Sequence, residues 1–268
     1  MTSSDPQTST NQPEILVERR DGIALILLNR PQERNPLGLH FSDLMLSILD
    51  ELEKDDAISA IVLTGNGPGF CAGADLGKIV HPDGIDMELQ FRLVRGYNKV
   101  VQRIRQLDLP VIAAVNGPAV GGGAALALAC DIAIAAEEAR YYFAFGRVGA
   151  CSADMGCAYM LPRLVGSMRA KHMMLTGATL NAQQAKAQGL VVDVVPRAQL
   201  IPAALEIAQQ IKIATPRRAG AATKMAIMRG EDADFESCLS YEAYLQSYLF
   251  QTEDHKQRLS VLLAALKK

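Results

Sequence analysis

Two segments rich in glycine have the residue types to hold negative charge through backbone N–H groups. The first, residues 116–126, reads Asn-Gly-Pro-Ala-Val-Gly-Gly-Gly-Ala-Ala-Leu and follows an apolar strand pattern. Glycine lets a backbone approach a ligand closely, and a helix N-terminus directs unpaired N–H groups at an anion. No acid, base or nucleophile follows the glycines, because the next residues are Ala124, Ala125 and Leu126. This segment predicts an oxyanion-binding turn whose proton chemistry comes from other residues.

The second segment, residues 69–76, reads Gly-Phe-Cys-Ala-Gly-Ala-Asp-Leu and also connects a strand pattern to a helix. Either turn alone usually indicates nothing more than tight packing. Neither contains the Gly-Lys-Ser/Thr of a phosphate loop, and no G-x-G-x-x-G follows the first strand. Two such turns in one chain suggest two N–H groups that converge on a single oxygen.

Asp154 lies in the small-residue run 149–156. The neighbouring Phe143, Phe145 and Met155 are apolar, and such surroundings raise a carboxyl pKa toward that of a useful base. An aspartate before an apolar helix is also a common N-cap. These residues alone leave two roles open for Asp154, proton transfer and an N-cap.

Other polar side chains have plainer interpretations. Cys151 lacks a histidine with a motif-level case for activating it, which favours a small core residue. His81 is expected in a surface loop, and Tyr141 and Tyr142 are expected to pack and to make one hydrogen bond each. Glu137 and its neighbour Glu138 fit a solvated turn.

Composition excludes several classes of protein. The chain has 268 residues, 49% hydrophobic residues and a net charge of -2, so no bulk charge favours nucleic acid or an anionic membrane. No apolar run reaches membrane-spanning length. The five cysteines lack metal-ligand spacing with the histidines, which predicts no metal site and reduced thiols in a cytoplasmic protein. Residues 1–12 lack lysine, arginine and an apolar stretch, and we expect a disordered tail and no targeting signal.

Strand and helix patterns alternate up to about residue 200. Apolar runs at 15–17 and 23–28 flank Asp21-Gly22, a hairpin signal. Helical spacing follows from Phe41 to Leu52, and buried strands are expected at 60–63, 111–115 and 131–135. A helix with apolar positions from Leu93 to Ile104 separates the first two of these strands. This alternation predicts an α/β fold with short, partly parallel strands.

Only helices are predicted beyond residue 200. They are expected at 203–213, at 216–228 with Thr215 as N-cap and Pro216 at the first position, at 235–250, and at 253–266 behind Thr252. Their apolar faces either pack on the α/β core or, as we favour, on neighbouring subunits.

The ordered motifs resemble the crotonase (enoyl-CoA hydratase/isomerase) superfamily from about Ile15 to the end of the chain. The residues that carry the resemblance are 28–31, 70–76, 116–117, 121–123, 130–132, 175–177, 185–196 and 252–254. It implies an α/β fold with an acyl-CoA-binding core of repeated ββα turns at 13–200, behind the tail at 1–12. It also implies a C-terminal helical oligomerisation region at 201–268, a homotrimer or a dimer of trimers, and no cofactor beyond the coenzyme A of the substrate.

The resemblance also implies roles for particular residues. The N–H groups of Ala74 and Gly122 would form an oxyanion hole for the thioester carbonyl. CoA would contact Ala72, Asp75 and Leu76, largely through the backbone. Further substrate-binding positions are Gly73, Gly121, Ala125, Phe145 and Arg34, of which Arg34 is either a phosphate ligand or a solvated charge.

The chain differs from hydratases of the family at the positions of their catalytic acidic residues. Hydratases of the family use two glutamates, at the positions of Ala125 and Phe145 here, so hydration by paired acids is not expected. Dienoyl-CoA isomerases carry an aspartate at the position of Asp154, although they also keep two upstream acids. We therefore expect a lyase or isomerase of this family in which Asp154 moves a proton, for double-bond isomerisation or atypical hydration. A decarboxylase, a C–C or thioester hydrolase, and a non-catalytic acyl-CoA-binding protein remain alternatives.

Overall fold

A β-hairpin begins the part of the chain that the structure describes. The structure is a computed structural model that describes residues 13–79 and 86–266. β1 (Ile15–Arg20) and β2 (Ile23–Leu28) pair antiparallel across Asp21 and Gly22, whose φ angles are 49° and 79°. Two successive positive φ angles define the two-residue turn that matches the twist of paired strands. The hairpin prediction is confirmed.

A six-stranded sheet continues from the hairpin in the order β1-β2-β3-β4-β6-β9, and every pairing after the first is parallel. The strands β3 and β4 are buried along their whole length, as their continuous apolar runs require of parallel strands covered on both faces. The later strands of this sheet are β3 (Ala60–Gly65), β4 (Val111–Val115), β6 (Ile132–Ala136) and β9 (Asp193–Val195).

A second sheet contains β5 (Pro118–Val120), β7 (Arg140–Tyr142) and β8 (Thr179–Asn181). Two isolated bridges, Leu37 with Ala74 and Cys71 with Ala119, continue the same line of pairing. The chain thus passes from β4 in the first sheet to β5 in the second and then into a helix. β6 and β7 repeat this passage, and the predicted spiral of ββα turns is confirmed.

Helices cover both faces of the large sheet. Amphipathic α1 and α3 pack against each other on one face, and α8 packs against β2, β3, β4 and β6 on the other. The helices are α1 (Phe41–Lys54), α2 (Leu76–Ile79), α3 (Met87–Gln106), α4 (Gly122–Ala129), α5 (Cys157–Val165), α6 (Ser167–Thr176), α7 (Ala182–Ala187), α8 (Arg197–Ala214), α9 (Arg217–Gly230), α10 (Phe235–Leu249) and α11 (Glu253–Leu266), with 3-10 turns at Pro31–Glu33 and Ala144–Val148.

Two details of the C-terminal helices differ from the predictions. α8 begins at Arg197 and buries Leu200, so it crosses the predicted boundary at residue 200 and belongs to the sheet's covering layer. Pro216 is the N-cap of α9 and not its first helical residue, because its ψ of 147° is extended. Thr215 instead closes α8 by donating its N–H to Ile211 O.

The last two helices, α10 and α11, contribute no buried residue. Large apolar side chains on them are solvent-exposed, including Phe235, Tyr244, Val261 and Leu266. The predicted packing on the α/β core is therefore seen for α8 and not for these two helices. Within the described residues, no helix is both long and apolar enough to span a membrane.

Candidate functional site

The N-terminus of α4 presents a turn of three glycines, all of them buried. Gly121 is the N-cap and has φ 52° and ψ −114°, a backbone conformation that side chains disfavour. Its N–H donates to Tyr142 O at 2.7 Å, and its carbonyl accepts the N–H of Ala125 at 3.0 Å. Gly122 begins the helix, so its N–H lies in the first turn, where the helix provides no acceptor.

Ala74 lies in a short extended segment that pairs with Leu37. Leu37 donates its N–H to Gly73 O at 2.8 Å and accepts the N–H of Asp75 at 3.1 Å. Successive peptide groups of an extended strand point in opposite directions, so the N–H of Ala74 is directed away from Leu37. Ala74 itself is exposed. A second N–H group is thus free of strand pairing with Leu37.

These two backbone segments touch each other. A methyl group on Gly73 would lie 3.3 Å from Gly122 N and 2.6 Å from Val120 O. A methyl group on Gly123 would lie only 2.2 Å from Cys71 O. Glycine is therefore required at both positions by close backbone approach, and the structure brings the two sequence-predicted turns together.

Asp154 lies one residue from a side chain that contacts this junction. The Sδ of Met155 would be 2.9 Å from a methyl group on Gly122, and so would Cδ1 of Leu37. Met155 is buried with φ 48°, a left-handed conformation that costs a non-glycine residue about 1–3 kcal/mol. The surrounding packing therefore holds this segment against local strain.

The carboxylate of Asp154 is partly buried and accepts the N–H of Met155 at 2.7 Å. Burial raises the pKa of this carboxyl above its ordinary value, and the Met155 N–H offsets part of that rise. A raised pKa of Asp154 is what its apolar neighbours predicted from the sequence. The N-cap alternative is wrong: α5 begins at Cys157 behind Gly156, and the Cys157 N–H donates to the backbone carbonyl of Asp154 at 2.9 Å.

Comparison with known proteins identifies the family. A sequence model described as Enoyl-CoA hydratase/isomerase matches residues 18–264. The chain is 36% identical over 251 residues to a 1,2-epoxyphenylacetyl-CoA isomerase of Escherichia coli, covering 93% of this chain and 95% of the relative. It is 36% identical over 236 residues to a 4-chlorobenzoyl coenzyme A dehalogenase of an Arthrobacter species, covering 88% and 85% of the two chains.

A solved structure agrees with these matches. An enoyl-CoA hydratase from Bacillus anthracis superposes with a TM-score of 0.89 at 34% identity, covering 94% of this chain and 97% of the other. The chain belongs to the enoyl-CoA hydratase/isomerase family. Its relatives in this crotonase-type family are enzymes, and the match extends through the C-terminal helices.

The relatives named above, an isomerase and a dehalogenase, perform different reactions, so membership of the family does not fix the reaction of this chain. The side chain of Ala125 is fully buried in α4. Phe145 is half-buried, and its Cε1 would lie 3.6 Å from a methyl group on Gly121. Both positions that resemblance assigns to hydratase glutamates are therefore apolar and lie beside the glycine turn.

The residues expected to contact CoA surround the Ala74 segment. Ala72 donates its N–H to Arg34 O at 2.9 Å, and Leu76 is 47% exposed at the start of α2. Arg34 itself is exposed, with φ 61°. The structure therefore leaves both predicted roles of Arg34, phosphate ligand and solvated charge, as predictions.

Asp75 has a structural partner that the sequence patterns did not identify. Arg30 donates to the Asp75 carboxylate at 2.8 Å, and the two side chains are only 10% and 11% exposed. Arg30 also donates to Glu33 at 2.6 Å. This pair ties the residue after Ala74 to the end of the hairpin. The sequence signal for this ion pair is Arg30 in the Asn-Arg-Pro motif, one of the motifs that carry the family resemblance.

The remaining candidates fall away from the glycine junction or outside the described residues. Glu137 and Glu138 are exposed, as predicted. Cys151 is exposed and not a core residue, because it follows the 3-10 turn in a surface loop. Tyr141 packs in the core and Tyr142 is half-buried, but neither buried hydroxyl has a hydrogen-bond partner in the described part of the chain. His81 lies outside the described residues.

Tyr97 is a further residue at this junction that sequence reasoning assigned only to a helix face. Its hydroxyl donates to Leu37 O at 2.9 Å, the carbonyl that also accepts the Asp75 N–H. Burial raises its pKa to about 12, with smaller contributions from nearby Asp75, Cys71 and Asp154. The hydroxyl is therefore a neutral donor that fixes Leu37. In residues 13–79 and 86–266, no cluster of side chains has the composition of a metal site.

Proposed function

We propose that this protein isomerises a double bond in an acyl-CoA thioester, with the thioester oxygen bound by the N–H groups of Ala74 and Gly122 and the proton carried by Asp154. The observation that carries the proposal is the backbone contact between the Gly73 and Gly122 segments, with Asp154 next to the side chain that touches Gly122. Coenzyme A enters as part of the substrate, and the proposal includes no other cofactor.

The two N–H groups suit an enolate. Removal of a proton from a carbon beside or conjugated with the thioester places negative charge on the carbonyl oxygen. Each preorganised donor in a site that excludes water lowers such a barrier by about 2.7–4 kcal/mol. The N–H of Gly122 adds the positive end of the α4 dipole. Backbone donors also explain why these segments need glycine and alanine and not reactive side chains.

Asp154 supplies the proton transfer that the backbone lacks. Its raised pKa brings the carboxylate nearer to the basicity that general-base catalysis requires at neutral pH. In isomerisation the carboxylate takes a proton from one carbon of the acyl chain, the double bond moves, and the same group returns a proton to another carbon. One carboxyl completes this cycle with no net gain or loss of protons.

Hydration is a less suitable reaction for a single carboxylate. It requires one group to activate water and a source of the proton that the substrate carbon receives. Ala125 and Phe145 offer neither, because both side chains are hydrocarbon. The isomerase name of the Escherichia coli relative supports this preference, while the short-chain-enoyl-CoA hydratase of Clostridium acetobutylicum, 35% identical over 255 residues, keeps hydration as the second reaction to assay.

The test is Asp154→Asn, a neutral replacement of nearly the same shape. Turnover of enoyl-CoA and dienoyl-CoA thioesters should fall by about 10²–10⁴-fold, the usual contribution of a general acid–base group. Dissociation constants for saturated acyl-CoA should stay within about threefold. Asp56→Asn is the matched control, because Asp56 is a solvent-exposed side chain. Full activity in Asp154→Asn would refute the proton-transfer role.

The products separate the alternative functions. Assaying enoyl-, dienoyl- and β-ketoacyl-CoA side by side distinguishes isomerisation and hydration from decarboxylation, C–C hydrolysis and thioester hydrolysis. If wild-type protein binds the esters and changes none of them, the protein is a non-catalytic acyl-CoA-binding protein and not an enzyme.

The assembly is part of the proposal. The exposed apolar side chains of α10 and α11 need cover that residues 13–79 and 86–266 do not provide, which supports a homotrimer or a dimer of trimers. A monomeric mass by light scattering would contradict this. A cytoplasmic location also stays a prediction, to be checked by fractionation.

A further inference from the structure

A groove lies between α3 and residues 153–160, outside the contact between the two glycine-rich segments. Its volume is about 620 Å³, and buried Val101, Met155 and Met160 line part of it. Small-molecule sites in proteins typically measure about 300–1,000 Å³ and are apolar with a few polar groups. The size and lining are therefore those of a site for an organic group.

The groove shares two residues with the proposed reaction site. Asp154 and Met155 line it, and the Sδ of Met155 is the atom that abuts Gly122. A chain attached to a thioester at Gly122 and passing Asp154 would have this groove beside it, because Asp154 lines the groove.

Two amides stand along the wall that α3 provides. Asn98 and Gln102 are four residues apart, so they lie on one helix face. Both are exposed, and neither amide has a hydrogen-bond partner within the described residues. Each offers an N–H₂ donor and a carbonyl acceptor. We call these two residues the amide pair.

The charges around the groove disfavour an anion. Arg105, one turn beyond Gln102, donates to Glu231 at 2.6 Å, and its guanidinium lies 5.4 Å from the ring of Tyr159. Its positive charge is therefore already paired. Asp154 adds a carboxylate to the lining. Among the residues that line the groove, a terminal carboxylate on a ligand would find no cation other than the paired Arg105, whereas a hydroxyl or a carbonyl could bind the amides.

We infer that the groove receives the far end of the acyl chain and that the amide pair binds a neutral polar group there, a hydroxyl or a carbonyl. The substrate class is thus an acyl-CoA whose chain carries such a group away from the thioester. The inference rests on the proposed function for the position of the thioester. It does not depend on which reaction Asp154 performs.

The test measures binding and not turnover, so its result can be interpreted even if the proposed reaction is wrong. Saturated acyl-CoA esters of increasing chain length are compared by calorimetry, each with a terminal methyl, hydroxyl or carboxylate group. At the length that reaches the amide pair, the hydroxyl ester should bind about 3–10-fold more tightly than the methyl ester, as one or two net hydrogen bonds allow. The carboxylate ester should show no such gain.

Variants of the amide pair test whether these two residues cause the preference for the hydroxyl ester. Asn98→Leu with Gln102→Leu should remove the preference for the hydroxyl ester while the methyl ester still binds. Gln106→Leu is the matched control, since Gln106 is an exposed glutamine of the same helix that does not line the groove, and it should keep the preference. Three results would each overturn the inference: no preference at any chain length, an unchanged preference in the double variant, or tighter binding of the carboxylate ester.

Discussion

Gly123→Ala tests whether backbone contact sets the distance between the two N–H groups. The added methyl group would lie 2.2 Å from Cys71 O, 2.7 Å from Cys71 Cβ and 2.9 Å from Cys71 C. An ordinary contact begins at 3.4 Å, so the backbones must separate by about 1.2 Å. Two of these three atoms belong to the backbone and cannot rotate away.

The expected loss of stability is about 1–3 kcal/mol, the usual cost of overpacking a buried site. The loss of activity should be larger. Because Gly123 follows Gly122 directly, the shift moves one proposed donor away from the other, and losing one oxyanion donor typically lowers kcat by about 10²–10³. Urea unfolding and kcat on the best substrate of the thioester panel measure the two effects separately.

Two further variants calibrate Gly123→Ala. Gly122→Ala meets only Leu37 Cδ1 and Met155 Sδ, at 2.9 Å, and these ends of flexible side chains can move, so its stability loss should be smaller. Gly220→Ala is the control, because its nearest atom is Thr215 Cγ2 at 3.7 Å and alanine favours a helix. If Gly123→Ala were as stable and as active as Gly220→Ala, the contact with Cys71 would not set the geometry of the site.

Two other predictions concern buried charges. Because burial raises the pKa of Asp154 above its ordinary 3.8, the folded state binds this proton more tightly than the unfolded state. The contribution of Asp154 to stability is therefore complete below pH 3.8 and is lost as the pH rises through the folded pKa, by about 1.4 kcal/mol per pKa unit. The free energies of unfolding of wild type and Asp154→Asn should therefore move apart as the pH rises from 3.8. Parallel curves would contradict this prediction. Lys224→Met should cost roughly 2–4 kcal/mol, since the 8% exposed Lys224 ammonium donates to two backbone carbonyls and pairs with Asp131 at 2.8 Å. Lys256→Met, which removes an exposed pair with Glu253, should cost less than about 1 kcal/mol in the same unfolding assay, and equal losses would show that burial is not what matters.

Local patterns predicted most elements because each pattern has a local physical cause. Asp21-Gly22 takes positive φ angles readily, and the apolar repeat from Phe41 places the buried side chains on one helix face. Boundaries were less accurate where neighbouring elements compete. Thr215 has the side chain of an N-cap, yet it completes α8, and the extended ψ of Pro216 moves the start of α9 by one residue.

The candidate site was predicted in part. Both glycine-rich turns were identified from residue type and spacing, and Asp154 was identified from the family resemblance. The apolar surroundings of Asp154 gave the direction of its pKa shift. The ion pair of Arg30 with Asp75 was not found, because 45 residues separate the partners and only the fold brings them together. The contact of Met155 with Gly122 and the hydrogen bond from Tyr97 to Leu37 O were not predicted either, because these partners are also far apart in the sequence.

The sequence by itself determined the family, the hairpin, the buried strands β3, β4 and β6 with the main helices between them, the C-terminal helices, and the absence of side-chain acids beside the glycines. These properties depend on residue types at fixed spacings along the chain. The tertiary structure alone decided that Gly73 meets Gly122, that Leu37 orients the peptide of Ala74, and that Asp154 lines the groove beside α3. Distances between segments far apart in sequence follow from packing and strand pairing, and no local pattern encodes them.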